Sequence, residues 1–166
     1  MPSTIESIET IPLAIPFTHA GPPTGFGGTV WTKANFLLLK VTTSDGLIGW
    51  GESFGYNVIP ATRVALEQVV KPLVLGQPSE SIGDLMGSLE RPLHLFGRSG
   101  PVQYALSGLD IALWDIAGKR AGLTEDHRHD GGGRGRRLGA QVFTLVLEDV
   151  FDIGPCGPAA GAAEVH

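Results

Sequence analysis

The sequence has a single cysteine, Cys156, so the chain cannot form an internal disulfide. Its first ten residues, MPSTIESIET, contain neither the basic stretch nor the apolar run of a secretory signal peptide. Long hydrophobic runs are also missing: the apolar run at 36–39 is far shorter than the roughly 20 residues that span a bilayer as a helix. These absences predict a cytoplasmic protein without a membrane segment.

Charge is sparse and slightly acidic. Lysine and arginine total 12 against 17 aspartate and glutamate, a net charge of −5, which gives no electrostatic reason to expect a nucleic acid or an anionic membrane as partner. Hydrophobic residues make up 42% of the 166 positions, enough for one buried core. We therefore expect a globular domain whose partners are small molecules or proteins.

The first part of the chain reads as strands separated by turn signals. Strands are predicted at 5–15, 36–43 and 47–52, where β-branched and apolar residues concentrate. Asp45-Gly46 between the second and third segments predicts an antiparallel hairpin, because glycine accepts a positive φ at little cost. Residues 17–29, with four glycines and two prolines, predict a loop that could act as a lid.

Three helices are expected to follow the strands. The first covers 61–70, places Val64, Ala65, Val69 and Val70 near one face, and is interrupted by Lys71-Pro72. The second covers 79–90 and ends at Arg91-Pro92. Strands followed by helices predict an α+β fold, a three-stranded antiparallel sheet followed by a helical bundle.

The third helix has the clearest pattern and should run from Pro101 to about Arg120. Ser99 is a plausible N-cap, Asp115 and Lys119 form a favourable i,i+4 pair, and Gly122 suits the left-handed residue that closes a helix. One apolar stripe repeats at helical spacing: Val102, Leu106, Leu109, Leu113 and Ile116.

The composition changes at Thr124. The stretch TEDHRHDGGGRGRRLG is polar and rich in glycine, and CGPAAGAAEVH has few large apolar residues. One apolar island, 141–150, could form a strand or a short helix. We therefore divide the chain into an ordered domain at 1–123 and a poorly ordered tail at 124–166.

Two motifs together resemble a known family. LLLKVTTSDGLIGWGES and, further along, ALSGLDIALWDIAGKRAG resemble the N-terminal capping domain of the mandelate racemase and muconate lactonizing enzyme group of the enolase superfamily, over residues 4–123. The resemblance implies a cap over a modified TIM barrel. There, carboxylates hold Mg2+ and a lysine or histidine base removes a proton beside a carboxylate, as in acid-sugar dehydratases, racemases and cycloisomerases.

The sequence departs from this family after Leu123. A TIM barrel needs roughly 250 residues, and no lysine follows Lys119. We carry over no catalytic residue and no Mg2+ ligand, and we expect no turnover by this chain alone. Acid sugars or related carboxylates would be ligands only if a barrel is supplied. A shifted reading frame or a truncation would explain the change.

Two other functions remain open. The chain could be a binding or assembly module that docks on a barrel, another chain or a second copy through its apolar helix faces. It could also be a non-functional gene remnant.

The resemblance identifies two loops that would reach over an active site, 17–31 and the residues after Glu52. His19, Phe26 and Tyr56 are the candidate substrate contacts, and the alternative is that they are ordinary loop residues. Trp31 is a weaker candidate. Glu52 ends a predicted strand without a nearby second acid, so a structural or loop-orienting role is favoured over catalysis.

Other polar clusters have simple explanations. Asp110 and Asp115 lie about 140° apart around a helix and should not converge on a metal. Trp114 is expected in the core rather than at an interface. His127, His129 and Asp130 are a weak chelate candidate without supporting residues, and GGGRGRR is a weak RNA-binding candidate without aromatic neighbours.

Overall fold

The computed structural model describes residues 2–122, and its centre is a three-stranded antiparallel sheet in the order β1-β2-β3. The strands are β1 (Ile5–Pro16), β2 (Lys33–Thr43) and β3 (Ile48–Ser53). Gly46 has a φ of 82° at the β2–β3 turn, and its amide donates to the Thr43 carbonyl at 2.8 Å. The predicted sheet and hairpin are thus confirmed.

The first helical segment is longer than predicted. It consists of α1 (Ile59–Ala65), a π-helical turn at Leu66–Val70 and α2 (Lys71–Val74). The prediction that Lys71-Pro72 ends the helix is wrong, because the wide turn precedes Pro72 and leaves it in the first turn of α2, where its missing N–H costs little. The predicted face also changes, since Val64 is exposed whereas Thr62 and Leu66 are buried.

The last two helices are α3 (Ile82–Leu93) and α4 (Pro101–Arg120). Pro92 lies inside the last turn of α3 rather than beyond its end. The N-cap of α4 is Gly100, with a φ of 90° and no side-chain cap, so the expected cap at Ser99 is wrong. The predicted end of α4 is confirmed, and Gly122 follows with a φ of 67°.

The core lies between α4 and one face of the sheet. A Cβ on Gly51 would collide with the Gly108 carbonyl and come within 2.9 Å of the Ala112 amide. Small residues on β3 therefore let α4 approach the strand closely. The α4 stripe is buried in this core from Leu106 to Ile116, and Val102 is half-buried. These side chains pack inside the unit, and docking through an apolar helix face stays a prediction.

A polar cluster joins four segments at the hairpin end of the sheet, and we call it the clasp: Ser3, Thr43, Asp45, Ser79 and Arg120. Hydroxyls of Thr43 and Ser3 donate to Asp45, the latter at 2.7 Å. The Arg120 guanidinium donates to Asp45 at 3.1 Å and to Ser79 at 3.2 Å. The hydrogen bonds that Asp45 accepts, above all the one from the Thr43 hydroxyl, hold the pKa of Asp45 well below its usual range.

Several predictions lie outside the described residues. They concern the tail at 124–166, its apolar island at 141–150, the candidate chelate at His127, His129 and Asp130, and Cys156. Within residues 2–122, no helix is both long and apolar enough to cross a bilayer.

Candidate functional site at the loop end of the sheet

The antiparallel order brings two loops to one end of the sheet. β1 ends at Pro16, β2 begins at Lys33, paired with Pro16, and β3 ends at Ser53. The segments 17–32 and 54–58 therefore leave the sheet side by side, opposite the clasp. This is the pair of loops that the sequence predicted to meet a substrate.

His19 is fixed within the first loop. Its Nε2 lies 2.7 Å from the Trp31 carbonyl oxygen, and the Phe17 ring packs edge-on against the imidazole with centroids 5.0 Å apart. A carbonyl only accepts hydrogen bonds, so Nε2 must carry the proton and donate. In the neutral ring, Nδ1 is then left as a hydrogen-bond acceptor.

Four rings connect the two loops to α4, and we call them the aromatic row: Trp31, Tyr56, Phe54 and Tyr104. Trp31 stacks on Tyr56 with centroids 5.4 Å apart and planes at 16°. Phe54 packs edge-on against Tyr56 at 4.7 Å and against Tyr104 at 5.2 Å. Such edge-to-face and stacked pairs each stabilise by roughly 0.5–1.5 kcal/mol beyond area burial. The row thus connects loop 17–32 to the start of α4.

Tyr56 has an unusual backbone. Its φ of 39° makes it the single non-glycine residue with positive φ in the described chain. Left-handed backbone costs an L-residue roughly 1–2 kcal/mol, and such strain often accompanies functional sites. The preceding turn is tight, because a Cβ on Gly55 would lie 3.1 Å from the Ile59 amide. The Tyr56 side chain remains 58% exposed.

An open groove of about 460 Å³ borders Tyr56. Its walls come from β1, β2 and the turn into α1, and consist of Pro12, Leu13, Ala14, Asn35, Tyr56, Asn57, Ile59 and Pro60. These residues offer apolar surface, two amide side chains and one phenol. They carry no charge, which favours hydroxyl groups and hydrocarbon over a free carboxylate.

The structure brings together only some of the predicted contacts. His19 and Tyr56 are linked through Trp31. Phe26 is 73% exposed and belongs to neither the aromatic row nor the groove walls. Sequence reasoning missed Phe54 and Tyr104. The only available signal was their position, directly after β3 and in the first turn of α4.

Glu52 is on the sheet face turned away from α4, in register with Leu38. It is half-buried, and burial raises the pKa of its carboxyl. It is not among the residues that line the groove. This placement is consistent with the structural role favoured from the sequence.

The two aspartates of α4 act separately. Asp115 accepts from the Trp50 amide and from Lys119 Nζ, each at 2.8 Å, and Lys119 also donates to the Ile48 carbonyl at 2.8 Å. The pair therefore covers backbone groups along the free edge of β3. Burial raises the pKa of Asp110, and interaction with the Trp114 indole partly offsets this rise. Trp114 itself is 54% exposed, so its predicted core position is wrong.

Residues 2–122 contain no group of three histidine, cysteine, aspartate or glutamate side chains placed to hold a metal ion. The Asp115 carboxylate is already engaged by the Trp50 amide and Lys119 Nζ. The described residues therefore do not fit a Mg2+ site.

Comparison with known proteins places these features in context. A family model for the N-terminal domain of mandelate racemase and muconate lactonizing enzymes matches residues 8–124. An arabinonate dehydratase from Saccharolobus solfataricus is 42% identical over 82 residues, which cover 49% of this chain and 22% of that enzyme. A D-galactonate dehydratase family member from Catenulispora acidiphila is 45% identical over 91 residues, covering 52% and 20%.

The fold also matches a solved structure. A racemase from Streptomyces coelicolor with bound magnesium superposes with a TM-score of 0.62 at 29% identity, over 70% of this chain and 32% of that one. The chain thus matches about a fifth of the length of these two dehydratase relatives and a third of the solved racemase.

Proposed function

The chain belongs to the family of N-terminal domains of mandelate racemase and muconate lactonizing enzymes, and we propose that residues 2–122 are the substrate-specificity cap of a Mg2+-dependent acid-sugar dehydratase or racemase. The single observation that carries the proposal is the contact between the two loops, through Trp31 and Tyr56, beside an open uncharged groove. Two dehydratase relatives and one magnesium-bound racemase support the class of reaction.

The cap would recognise the part of the substrate that carries hydroxyl groups. His19 Nδ1 can accept a hydrogen bond, the amides of Asn35 and Asn57 can donate and accept, and the Tyr56 phenol can do both. The aromatic faces and groove walls would pack against the carbon chain. Because the groove walls carry no cation, the carboxylate of an acid sugar would be held elsewhere.

Proton abstraction is assigned to a second domain. The described residues do not fit a Mg2+ site, so no step of the reaction is assigned to them. Their part is to bind the substrate and to exclude water from the site beneath the loops. We therefore expect residues 2–122 to show no turnover without that domain.

Two assays test the proposal. The full chain is incubated with Mg2+ and a panel of aldonates, and product is measured against a buffer blank and a chelated control. In parallel, the N-terminal domain of the arabinonate dehydratase relative is replaced by residues 2–122. We expect no turnover by the full chain and turnover by the chimera. Chelator-sensitive turnover by the full chain, or a folded chimera that binds no aldonate, would contradict the proposal.

A further inference from the structure

The turn between β2 and β3 contains a dipeptide that can rearrange chemically. Asp45-Gly46 is the one place in residues 2–122 where an aspartate or asparagine precedes a glycine. In such a pair the glycine amide nitrogen can attack the aspartate Cγ, because glycine has no Cβ to hinder the approach. A bond forms between the nitrogen and Cγ, a carboxyl C–O bond breaks, and the oxygen leaves as water.

The cyclic imide that forms is opened again by water. Attack at Cγ restores aspartate. Attack at the main-chain carbonyl carbon of Asp45 breaks its bond to the Gly46 nitrogen and leaves the backbone running through Cγ, as isoaspartate. One water is released and one is consumed, so the product is an isomer of equal mass and the step needs no oxidant, reductant or co-reactant.

The turn is sterically open to this reaction. Gly46 has a φ of 82°, and a Cβ built on it would meet no atom within 4 Å. The Asp45 side chain is 41% exposed, so water reaches its carboxyl group. Steric crowding therefore does not protect the dipeptide, and any protection must come from its hydrogen bonds.

The clasp engages the carboxyl group, and a turn hydrogen bond engages the nitrogen. The carboxyl must be protonated before its oxygen can leave as water. Its Oδ1 accepts from the hydroxyls of Thr43 and Ser3, and its Oδ2 accepts from Arg120 at 3.1 Å, which favours the ionised form. The Gly46 amide donates to the Thr43 carbonyl at 2.8 Å and must release this bond before it can attack.

We propose that Asp45 is a latent isomerisation site that the clasp keeps closed, and that opening of the clasp allows Asp45 to convert to isoaspartate. Arg120 is the last residue of α4, and Ser3 precedes β1. Chain ends and helix ends open first in folded proteins, so local opening there exposes the site without unfolding of the core. The conversion inserts a CH2 group into the backbone and moves the carboxylate relative to its three donors, which weakens the clasp further.

The test follows isoaspartate at position 45 over time in the full chain at neutral pH, by chromatography and electron-transfer fragmentation of proteolytic peptides. Thr43→Val removes the hydroxyl and nearly keeps the shape of the buried side chain. We expect it to raise the rate on the order of tenfold, as loss of a hydrogen bond to a charged group does. Arg120→Gln should raise the rate less, by roughly threefold, because its ion pair with Asp45 is partly exposed.

Two controls isolate the clasp. Lys40→Gln removes the 2.9 Å ion pair with Glu9 from the same hairpin without removing a hydrogen bond to Asp45, and should leave the rate unchanged. The chain's other Asp-Gly pair, Asp130-Gly131, is not a member of the clasp and serves as an internal reference whose rate should be the same in all variants. Circular dichroism establishes that each variant is folded.

Wild type unfolded in guanidinium chloride gives the rate of the open site, which should exceed the native rate. This comparison requires no variant, so it decides the question even if a substitution prevents folding. Equal rates in native and unfolded wild type would overturn the proposal. Folded Thr43→Val and Arg120→Gln chains that convert no faster than wild type, or an equal acceleration by Lys40→Gln, would overturn it as well.

Discussion

The two ends of the sheet are held by different kinds of interaction. At the clasp, directional hydrogen bonds connect segments far apart in the sequence, such as Ser3 with Asp45 and Arg120 with Ser79. At the loop end, aromatic contacts join Trp31, Tyr56 and Phe54, and the side chains remain partly exposed. Hydrogen-bonded polar networks fix one geometry, whereas apolar contacts accept different shapes. We infer that the clasp fixes the geometry of the sheet, whereas the loop end can vary in the ligand that it binds.

The largest expected effect concerns the close contact between β3 and α4. Gly51→Val places a side chain against the Gly108 carbonyl and the Ala112 amide, so α4 must move away from β3. We expect a loss of about 3 kcal/mol in the free energy of unfolding, the upper part of the usual range for overpacked cores. Chemical denaturation measures this loss.

The control is Gly87→Ala in α3, where a Cβ meets no atom within 4 Å. Alanine has the higher helix propensity, so this change should stabilise by roughly 0.5–1 kcal/mol. Equal effects of the two substitutions would show that α4 does not rest on β3 as described.

At the clasp, Ser79→Ala removes a buried hydroxyl. Ser79 donates to the Ser3 carbonyl at 3.1 Å and accepts from Arg120. We expect a loss of roughly 1–2 kcal/mol, because a buried carbonyl and a cation each lose a partner. Thermal unfolding followed by circular dichroism measures it. Ser88→Ala, on exposed α3 surface with a local bond to the Leu85 carbonyl, should change stability less, and the reverse order would count against the clasp.

At the loop end, glycine should be tolerated better than alanine in place of Tyr56. Tyr56→Ala loses the stacking with Trp31 and keeps an L-residue at a φ of 39°. Tyr56→Gly loses the same contacts but removes the backbone strain. We expect the glycine variant to be more stable than the alanine variant by about 1 kcal/mol. If alanine is the more stable, the backbone at Tyr56 is not strained.

The smallest effect concerns Asp45, which lies at the surface. Its pKa is lowered in the folded state, chiefly by the Thr43 hydroxyl, so its contribution to stability is present above the unfolded pKa and is lost as pH falls through the folded one. Asp45→Asn should therefore be less stable than wild type at neutral pH, with the difference narrowing in acid. Denaturation at a series of pH values tests this, and a difference that grows in acid would have the wrong sign.

Local patterns were sufficient to predict the sheet and the end of α4. Asp45-Gly46 marks the hairpin, and the spacing of apolar residues in α4 determines which side enters the core. The path of the chain at Pro72 was missed, because a π-helical turn depends on how the preceding residues pack.

The candidate site depends on contacts that no periodicity contains. The row from Trp31 to Tyr104 joins residues 73 positions apart in the numbering, and only the folded chain brings Phe54 between Tyr56 and Tyr104. Trp114 was misplaced because an aromatic residue beside Leu113 is usually a core residue, whereas here it lies on the outer side of α4.

The division of roles between the two ends is tested most directly in the chimeric dehydratase. The measurement is the ratio of kcat/KM for arabinonate and galactonate, in which the fraction of folded enzyme cancels. We predict that Tyr56→Ala changes this ratio on the order of tenfold, the usual size of a lost substrate contact, while Ser79→Ala lowers stability and leaves the ratio unchanged. An unchanged ratio with Tyr56→Ala, or an equal change with Ser79→Ala, would contradict the assignment of specificity to the loop end.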